Sequence, residues 1–238
     1  MMLHRADLHI HTCLSPCAEL EMTPVNIVRK AVQAGLNVIG ICDHNSCENV
    51  PYVRKSADRE SLIVIGGMEI TSSEEVHILA FFDKEEELFS LQEIIYSNLH
   101  GVNNETLYGE QVIVNEKDEV LGFSSKLLIG ATELTLEKIV QYVHRLNGIA
   151  IPSHVDRKSF SIISQLGFIP EGLQVDALEL SSREKASCCE SSLPVVAFSD
   201  AHRLDRIGLV ATGFFTDHFC IEEMRKAFNG EDGRKVML

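Results

Sequence analysis

The segment Ala6-Asp7-Leu8-His9-Ile10-His11 joins a short strand pattern to a pair of histidines. His9 and His11 are two residues apart, so in a strand their side chains point to the same face and can contact one ion together. Asp7 lies on that face too, and we expect its carboxylate to accept a hydrogen bond from the second ring nitrogen of a ligand histidine. Since imidazole is a common ligand of divalent metals, the segment predicts part of a metal site at a strand end.

Four further strand patterns deliver a histidine or an acid at one end. They give His44 after Val38–Cys42, Glu69 after Leu62–Met68 with His77 in the next pattern, His154 after Gly148–Pro152, and both Asp200 and His202 after Val195–Ser199. In all, six of the ten histidines of the chain lie at such positions. Packing would need a separate reason for each position, whereas metal binding needs one. Because strand ends meet at one barrel mouth, the set predicts a polynuclear metal site and therefore a hydrolase.

Three acids have particular places in this prediction. One carboxylate can bridge two cations, which is the role we expect for Glu69. Asp43 directly precedes His44 and, like Asp7, is expected to orient a ligand rather than to bind metal. Glu179, near the end of a sixth strand pattern, is expected to cap its strand and not to face the site.

The order of the predicted elements indicates the fold. Short runs rich in β-branched residues alternate with helical patterns along most of the chain, which is typical of βαβ units and a parallel sheet. Seven such runs favour one closed or nearly closed α/β barrel, with an open doubly wound sheet as the alternative. The runs are Ala6–His11, Val38–Cys42, Leu62–Met68, Val76–Phe82, Gly148–Pro152, Ala177–Leu180 and Val195–Ser199. We expect a single domain over residues 1–238, with residues 83–133 as an inserted helix and hairpin.

Helix signals accompany these strands. Thr23-Pro24 predicts a helix start, because proline is favoured at the first helical position. Val25, Val28 and Val32 form the predicted buried face of that helix.

The bulk composition limits the partners of the chain. Its formal net charge of −14 at pH 7 predicts a field that repels phosphate backbones, so we expect no stable duplex nucleic acid as a partner. No apolar stretch has transmembrane length and the N-terminus shows no signal-peptide pattern, so we expect no membrane association. Seven cysteines, an odd number, predict reduced thiols in a cytoplasmic protein, and adjacent Cys188-Cys189 lacks the C-x-x-C spacing of a redox or zinc motif. The sequence leaves the oligomeric state open.

Taken together, the motifs have a recognisable order. It is H-x-H at His9 and His11, D-H at Asp43 and His44, Glu69 followed by His77, then His154, then D-x-H at Asp200 and His202. This order resembles the PHP (polymerase and histidinol phosphatase) family of metal-dependent phosphoesterases. The resemblance spans about Asp7 to His202, with residues 83–133 least constrained. It implies a distorted seven-stranded (β/α) barrel, a trinuclear metal site at the C-terminal ends of the strands, and hydrolysis of phosphate esters.

The resemblance also implies a ligand set. His9, His11, Glu69 and Asp200 would hold the first ion; Glu69 would bridge to a second, held also by His77 and His154; and His44 and His202 would hold a third. Many family members complete the third site with an aspartate where this chain has Pro16. Cys17 and Glu19 are the candidate replacements, since a thiolate is a good zinc ligand, and a vacant or weak third site is the alternative. Two or three divalent ions per chain, Zn, Mn or Fe, are therefore expected.

The substrate of such a site would be a phosphate ester. We expect a phosphomonoester, a small phosphodiester or a nucleotide end, attacked by metal-activated hydroxide. Arg157, Arg183 and Arg203 follow strand ends and are the candidates for binding phosphate oxygens. Glu69, Asp200 and His202 are the candidate catalytic residues. The alternatives are a hydrolase acting on an amide or a lactone, and a non-catalytic, accessory PHP-like interaction domain.

Overall fold

A computed structural model describes residues 1–184 and 192–238 of the chain. Its strands are β1 Met2–Ile10, β2 Val38–Ile41, β3 Ile63–Thr71, β4 His77–Phe82, β5 Val112–Val114, β6 Val120–Phe123, β7 Ile149–Pro152, β8 Leu178–Leu180, β9 Val195–Ala197, β10 Thr212–Thr216 and β11 Lys235–Met237. Its helices are α1 Pro24–Gln33, α2 Val50–Ala57, α3 Glu85–Ser97, α4 Glu105–Tyr108, α5 Leu136–Arg145, α6 Ile162–Leu166 and α7 Ile221–Asn229. All seven predicted strands and the predicted hairpin, β5–β6, are present, whereas Cys188-Cys189 lies outside the described residues.

Most strands belong to one mixed sheet in the order β11-β10-β1-β2-β3-β4-β7. The neighbours β1, β2 and β3 are parallel, as the alternating pattern predicts. Strand β4 runs antiparallel to both β3 and β7, so the expected all-parallel arrangement is wrong at this point. The reason is the connection between β3 and β4: residues 72–76 are enough for a hairpin but too few for the crossover that a parallel pair requires.

The parallel pair β8–β9 completes the ring between β7 and β1. On one side, the backbone N–H of Val155 donates to the carbonyl of Glu179 at 2.8 Å. On the other side, the N–H of His11 donates to the carbonyl of Ala201 at 3.0 Å. Strands β1, β2, β3, β4, β7, β8 and β9 thus form the distorted seven-stranded barrel that the resemblance implied, and β10 and β11 extend the sheet beyond it.

Buried apolar residues hold the strand ends in place. One cluster includes Leu8, Ile65, Leu79, Ile151 and Val196, which come from five different strands of the ring. A second cluster joins the sheet to helices α1, α2, α3 and α5. Because packing on both sides restrains the strands, polar residues at their ends have well-defined positions.

Helix α1 begins at the predicted Thr23-Pro24 but presents a different face to the core. Ile27, Val28 and Ala31 are buried, whereas Val25 and Val32 are exposed. Only Val28 of the predicted face is therefore correct, because the helix turns Ile27 and Ala31 toward the sheet. Within the described residues, no helix combines the length and the apolar character needed to cross a membrane.

Candidate metal centre

The predicted metal ligands meet at one edge of the barrel. Glu69 lies near the end of β3 and His77 is the first residue of β4. Because these strands are antiparallel, Thr71 pairs with His77, and the start of β4 lies beside the end of β3. The backbone of His44, beyond β2, forms a parallel bridge with Glu69. The reversal of β4 therefore brings His77 to the edge where the other strands end.

The carboxylate of Glu69 is the centre of the cluster. The ring nitrogens within 3.4 Å of its two oxygens belong to His9 (3.3 Å), His11 (3.4 Å), His44 (3.2 Å), His77 (3.0 Å) and His154 (3.4 Å). Glu69 is buried, and burial alone would raise its pKa. The surrounding histidines instead hold the pKa of this carboxyl well below its usual value, so Glu69 is ionised.

Asp200 and His202 complete the cluster from beyond β9. One carboxylate oxygen of Asp200 lies 3.3 Å from Nε2 of His9 and 3.2 Å from Nε2 of His11. The ring of His202 stacks on that of His11 with centroids 4.0 Å apart. Asp200 has a φ of 47°, a left-handed conformation that aspartate tolerates better than most residues.

Among the residues the structure describes, three groups of side chains could each hold a metal ion. Within each group, the donor atoms lie within 4.8 Å of one another. The groups are His9 with His11, Glu69 and Asp200; His44 with Glu69 and His77; and His11 with His44 and His202. The first group has the same members as the first predicted ligand set. His154 joins the second through its 3.4 Å contact with Glu69.

The ring of His9 is oriented by Glu179. An oxygen of Glu179 lies 2.9 Å from Nδ1 of His9, which leaves Nε2 of that ring facing Glu69 and Asp200. The other oxygen of Glu179 accepts a hydrogen bond from the backbone N–H of His154 at 2.8 Å. The expectation that Glu179 only caps its strand is therefore wrong, because its side chain faces the site.

The two aspartates expected to orient ligands have different partners, and only Asp7 departs from the contact expected of it. Asp7 accepts hydrogen bonds from the backbone N–H groups of Ser199 and Gly208, and so ties the β9 and β10 segments to β1. Asp43 accepts a hydrogen bond from the hydroxyl of Ser15 at 2.7 Å, and Ser15 in turn lies 3.0 Å from Nδ1 of His11. Asp43 thus reaches a predicted ligand through Ser15, which the sequence analysis missed.

The centre opens into a cavity of about 230 Å³. Cys17 lines this cavity but belongs to none of the three groups with donor atoms within 4.8 Å among the described residues. Glu19 instead lies 3.4 Å from Nε of Arg203 on the surface. Of the two candidates for the third site, Cys17 is the one at the cavity.

The three predicted arginines have different surroundings. Arg157 lines the cavity and donates to the carboxylate of Asp200. The side chain of Arg183 donates to the backbone carbonyl of Ala211. Arg203 is exposed and pairs with surface acids. Only Arg157 among these three contacts the cluster.

Two apolar residues of the cavity were missed in the sequence. Ile129 reaches the cavity from the inserted segment, and Phe160 reaches it from the loop after β7. The ring of Phe160 stacks on that of His77, with centroids 4.7 Å apart and an angle of 19° between the planes. In the sequence, only its place in the loop after β7, six residues beyond His154, connects Phe160 with the site.

The cluster fits divalent cations. Nδ1 of His44 and Oδ1 of Asp200 are buried and, although close to neighbouring polar atoms, make no contact with hydrogen-bond geometry. Burial opposes protonation of His11, yet Asp200 and Glu69 raise its pKa to about 9, which shows how strongly the carboxylates attract positive charge. Burial and neighbouring His11 lower the pKa of His202 to about 4, so that ring is neutral, as a metal ligand must be.

Comparison with known proteins defines the class of this chain. The sequence model of the PHP domain matches residues 7–161, and that of a PHP-associated segment matches residues 184–230. Since the first match covers well over half of the chain, the chain belongs to the PHP domain family, a family of metal-dependent phosphoesterases. The metal cluster and this family together indicate a hydrolase that binds divalent metal.

Individual proteins are similar over different lengths. The lesion-specific endonuclease Endonuclease Q of Pyrococcus furiosus has the same fold, with a TM-score of 0.75 and 22% identity over 100% of this chain and 58% of its own. An Endonuclease Q complex with a 27-mer duplex, which carries an abasic lesion at the active site, gives a TM-score of 0.74 and 22% identity over 99% of this chain and 59% of its own. A 5′-3′ exoribonuclease of Haemophilus influenzae is 30% identical over 87 residues, which are 35% of this chain and 31% of that protein. The chain thus spans less than two thirds of the length of these proteins.

These similarities correct our expectation about partners. We expected a small phosphorylated substrate or a nucleotide end, and the charge of −14 led us to exclude stable duplex nucleic acid. That expectation is wrong, because the similar proteins act on nucleic acid and one is bound to a duplex. The net charge was a poor guide, since it says nothing of where the charges lie and counts cluster carboxylates such as Glu69 and Asp200, whose charge bound cations would offset.

Proposed function

We propose that this chain is a metal-dependent phosphoesterase that hydrolyses phosphodiester bonds in nucleic acid. The observation that carries the proposal is the buried carboxylate of Glu69 with five imidazole rings around it, at the floor of an open cavity. Membership of the PHP domain family supports the phosphoesterase chemistry. The names of the similar proteins, an endonuclease and an exoribonuclease, support nucleic acid as the substrate.

The proposed ligand sets are those that the family resemblance implies; the first has the members of one group of donor atoms, and the other two overlap the remaining groups in part. His9, His11, Glu69 and Asp200 would hold one ion; Glu69, His77 and His154 a second; and His44 and His202 a third. We propose Cys17 as the additional ligand of the third site, because Cys17 lines the cavity while Glu19 pairs with Arg203. Divalent ions held there would lower the pKa of a bound water and neutralise charge that develops on phosphoryl oxygens.

The other residues of the site would position these groups and the substrate. Glu179 and Ser15 fix the rings of His9 and His11 from behind, so that both Nε2 atoms face the centre. The guanidinium of Arg157 lies at the cavity beside Asp200 and can donate two hydrogen bonds to phosphate oxygens. His202, with its side chain 27% exposed at the cavity, would serve there as a neutral ligand of the third ion and not as a proton donor.

The test measures metal content and nuclease activity in the same preparations. Wild-type protein purified without chelator should contain two or three ions per chain and should cleave labelled DNA or RNA oligonucleotides in the presence of Mn or Zn. Glu69→Gln should lose the ions and about 10³-fold in turnover, because the central charge that holds the ions is gone. Glu133→Gln is the matched control, since Glu133 is 70% exposed and pairs with the surface residue His100.

Three results would contradict the proposal. They are near-normal cleavage by Glu69→Gln, wild-type protein that binds no divalent ion, and wild-type protein that hydrolyses amides or lactones while leaving phosphodiesters intact. A count of two ions in wild type, unchanged in Cys17→Ala, would argue against the proposed third site alone.

A further inference from the structure

The loop after β7 brings three kinds of side chain to one cavity. His154, Arg157 and Phe160 follow one another at intervals of three residues, and all three line the cavity. The first is a proposed metal ligand and the second a guanidinium at the proposed phosphate position. Phe160 can bind neither a metal nor a phosphate, so its place at the cavity needs another explanation.

The conformation of Phe160 is unusual and firmly held. Its φ is 55°, a left-handed value that is rare for a bulky residue. Its carbonyl accepts a hydrogen bond from the N–H of His77 at 2.9 Å, and the next residue, Ser161, caps helix α6 with its side chain. Such backbone strain persists only where the surroundings enforce it, and it is concentrated at functional sites.

The ring of Phe160 is placed as a platform beside the centre. One side stacks on the ring of His77, yet 42% of the residue remains exposed, at the cavity. A phenylalanine that only filled space in the barrel would be buried, as Phe81 and Phe198 are. Ile129, 37% exposed, adds further apolar surface to the same cavity.

The cavity therefore combines a charged floor with apolar groups at its side. Ions and Arg157 would bind a phosphate, but a phosphate has no apolar surface for Phe160 to contact. A nucleotide has both parts, because a flat base is attached through the sugar to the phosphate. Bases stack on exposed aromatic rings in many proteins that bind single strands or extruded nucleotides.

We propose that Phe160 forms a base-binding subsite, on which the base of a nucleotide adjoining the cleaved phosphate stacks. This inference rests on the proposed function, since it assumes a nucleic acid substrate. Phe160 is here a substrate-binding residue that sets KM and the preference for base-containing substrates. It takes no part in proton transfer.

The test compares two substrates and several variants in the full chain. One oligonucleotide carries normal nucleotides around a single cleaved bond, and the other carries tetrahydrofuran residues, which lack a base, on both sides of that bond. Phe160→Ala should raise KM about tenfold for the first substrate and change it less than about twofold for the second. Phe160→Trp should retain the wild-type KM, whereas Phe160→Leu, apolar but not aromatic, should resemble Phe160→Ala.

Controls separate stacking from support of the metal centre. Phe168→Ala removes a phenylalanine that is 62% exposed and does not line the cavity, and should leave both KM values unchanged. Metal content should be the same in Phe160→Ala and wild type. Equal losses on the two substrates, or loss of metal in Phe160→Ala, would overturn the subsite and make Phe160 a support for His77.

The two proposals fail in different ways. If wild type cleaves the normal oligonucleotide and Phe160→Ala cleaves it with the same KM, the subsite is wrong and the proposed function stands. If wild type cleaves no oligonucleotide of either kind, the proposed function is wrong and the subsite falls with it.

Discussion

The histidines around Glu69, here called the inner ring, and the arginines of the surrounding loops are held in different ways. In the inner ring, His9 contacts Glu69 with one nitrogen and Glu179 with the other, and His11 likewise contacts Ser15 from behind. Outside the residues that line the cavity, Arg203 pairs with the surface acids Glu19 and Asp205. The rings of His9 and His11 are thus fixed from two sides, whereas the side chain of Arg203 is held by solvent-exposed partners.

This difference explains why the histidines could be placed from the sequence and the arginines could not. A residue at a strand end has its direction set by the sheet, so proximity in sequence to a strand end places it well. An arginine in a loop has a long side chain and can turn to the site, to a carbonyl or to the surface. Arg157, Arg183 and Arg203 take these three courses respectively.

Removing the carboxylate of Glu179, which holds the ring of His9, should cause the largest loss, and the loss is in metal affinity. Glu179→Ala leaves Nδ1 of His9 and the N–H of His154 without their carboxylate partner, so we expect about 100-fold weaker metal binding. The measurement is competition for Zn or Mn with a chelator of known affinity. The exposed Glu133→Ala serves as control, and affinity within about threefold of wild type in Glu179→Ala would show that the inner ring needs no such support.

Substitution of the loop arginines should lower activity at Arg157 and not at Arg203. Arg157→Ala removes a cation next to the cluster, and we expect kcat/KM for an oligonucleotide to fall about 30-fold, which corresponds to about 2 kcal/mol for a charged hydrogen bond. Arg203→Ala should change kcat/KM less than about twofold, because its partners are Glu19 and Asp205 at the surface. Steady-state kinetics on both variants decide this, and equal losses would mean that Arg203 also reaches the substrate.

The smallest expected loss of metal affinity follows from removing the hydroxyl beside His11. Ser15→Ala removes the hydroxyl that links Asp43 to Nδ1 of His11, so we expect metal affinity to fall about tenfold, less than in Glu179→Ala. Ser90→Ala is the matched control, since Ser90 donates to a carbonyl within its own exposed helix face. A larger loss in Ser15→Ala than in Glu179→Ala would reverse the order of importance that the geometry indicates.

Much of the fold could be predicted because the signals are local. The seven barrel strands and the hairpin follow from β-branched runs and turn residues, and the start of α1 follows from Pro24. The direction of β4 depended on the length of residues 72–76, which the sequence analysis did not use. Strand β10 reads Thr-Gly-Phe-Phe-Thr, and its two consecutive phenylalanines are too short an apolar run to recognise as a strand.

The candidate site could be predicted as far as its inner ring. His9, Glu69, His154 and Asp200 meet around one point, which was the condition on which the hydrolase prediction depended. Glu179 was misjudged because its face depends on how β8–β9 completes the ring. Phe160 could not be placed because its direction depends on a left-handed turn within a loop.

Contacts in and around the metal centre also differ greatly in their separation along the chain. His77 and Glu69, joined by the β3–β4 hairpin, are 8 residues apart, whereas the contact between Ser199 and Asp7 joins residues 192 apart. Loop-closure entropy favours the short connection, so we expect the hairpin to fold early and the junction of β1 with β9 to form late. An ion held by His9, Glu69 and Asp200 would then link the late-forming junction of β1 with β9 to the early-forming hairpin. Loss of the ion would therefore let the junction open at lower free energy than the hairpin.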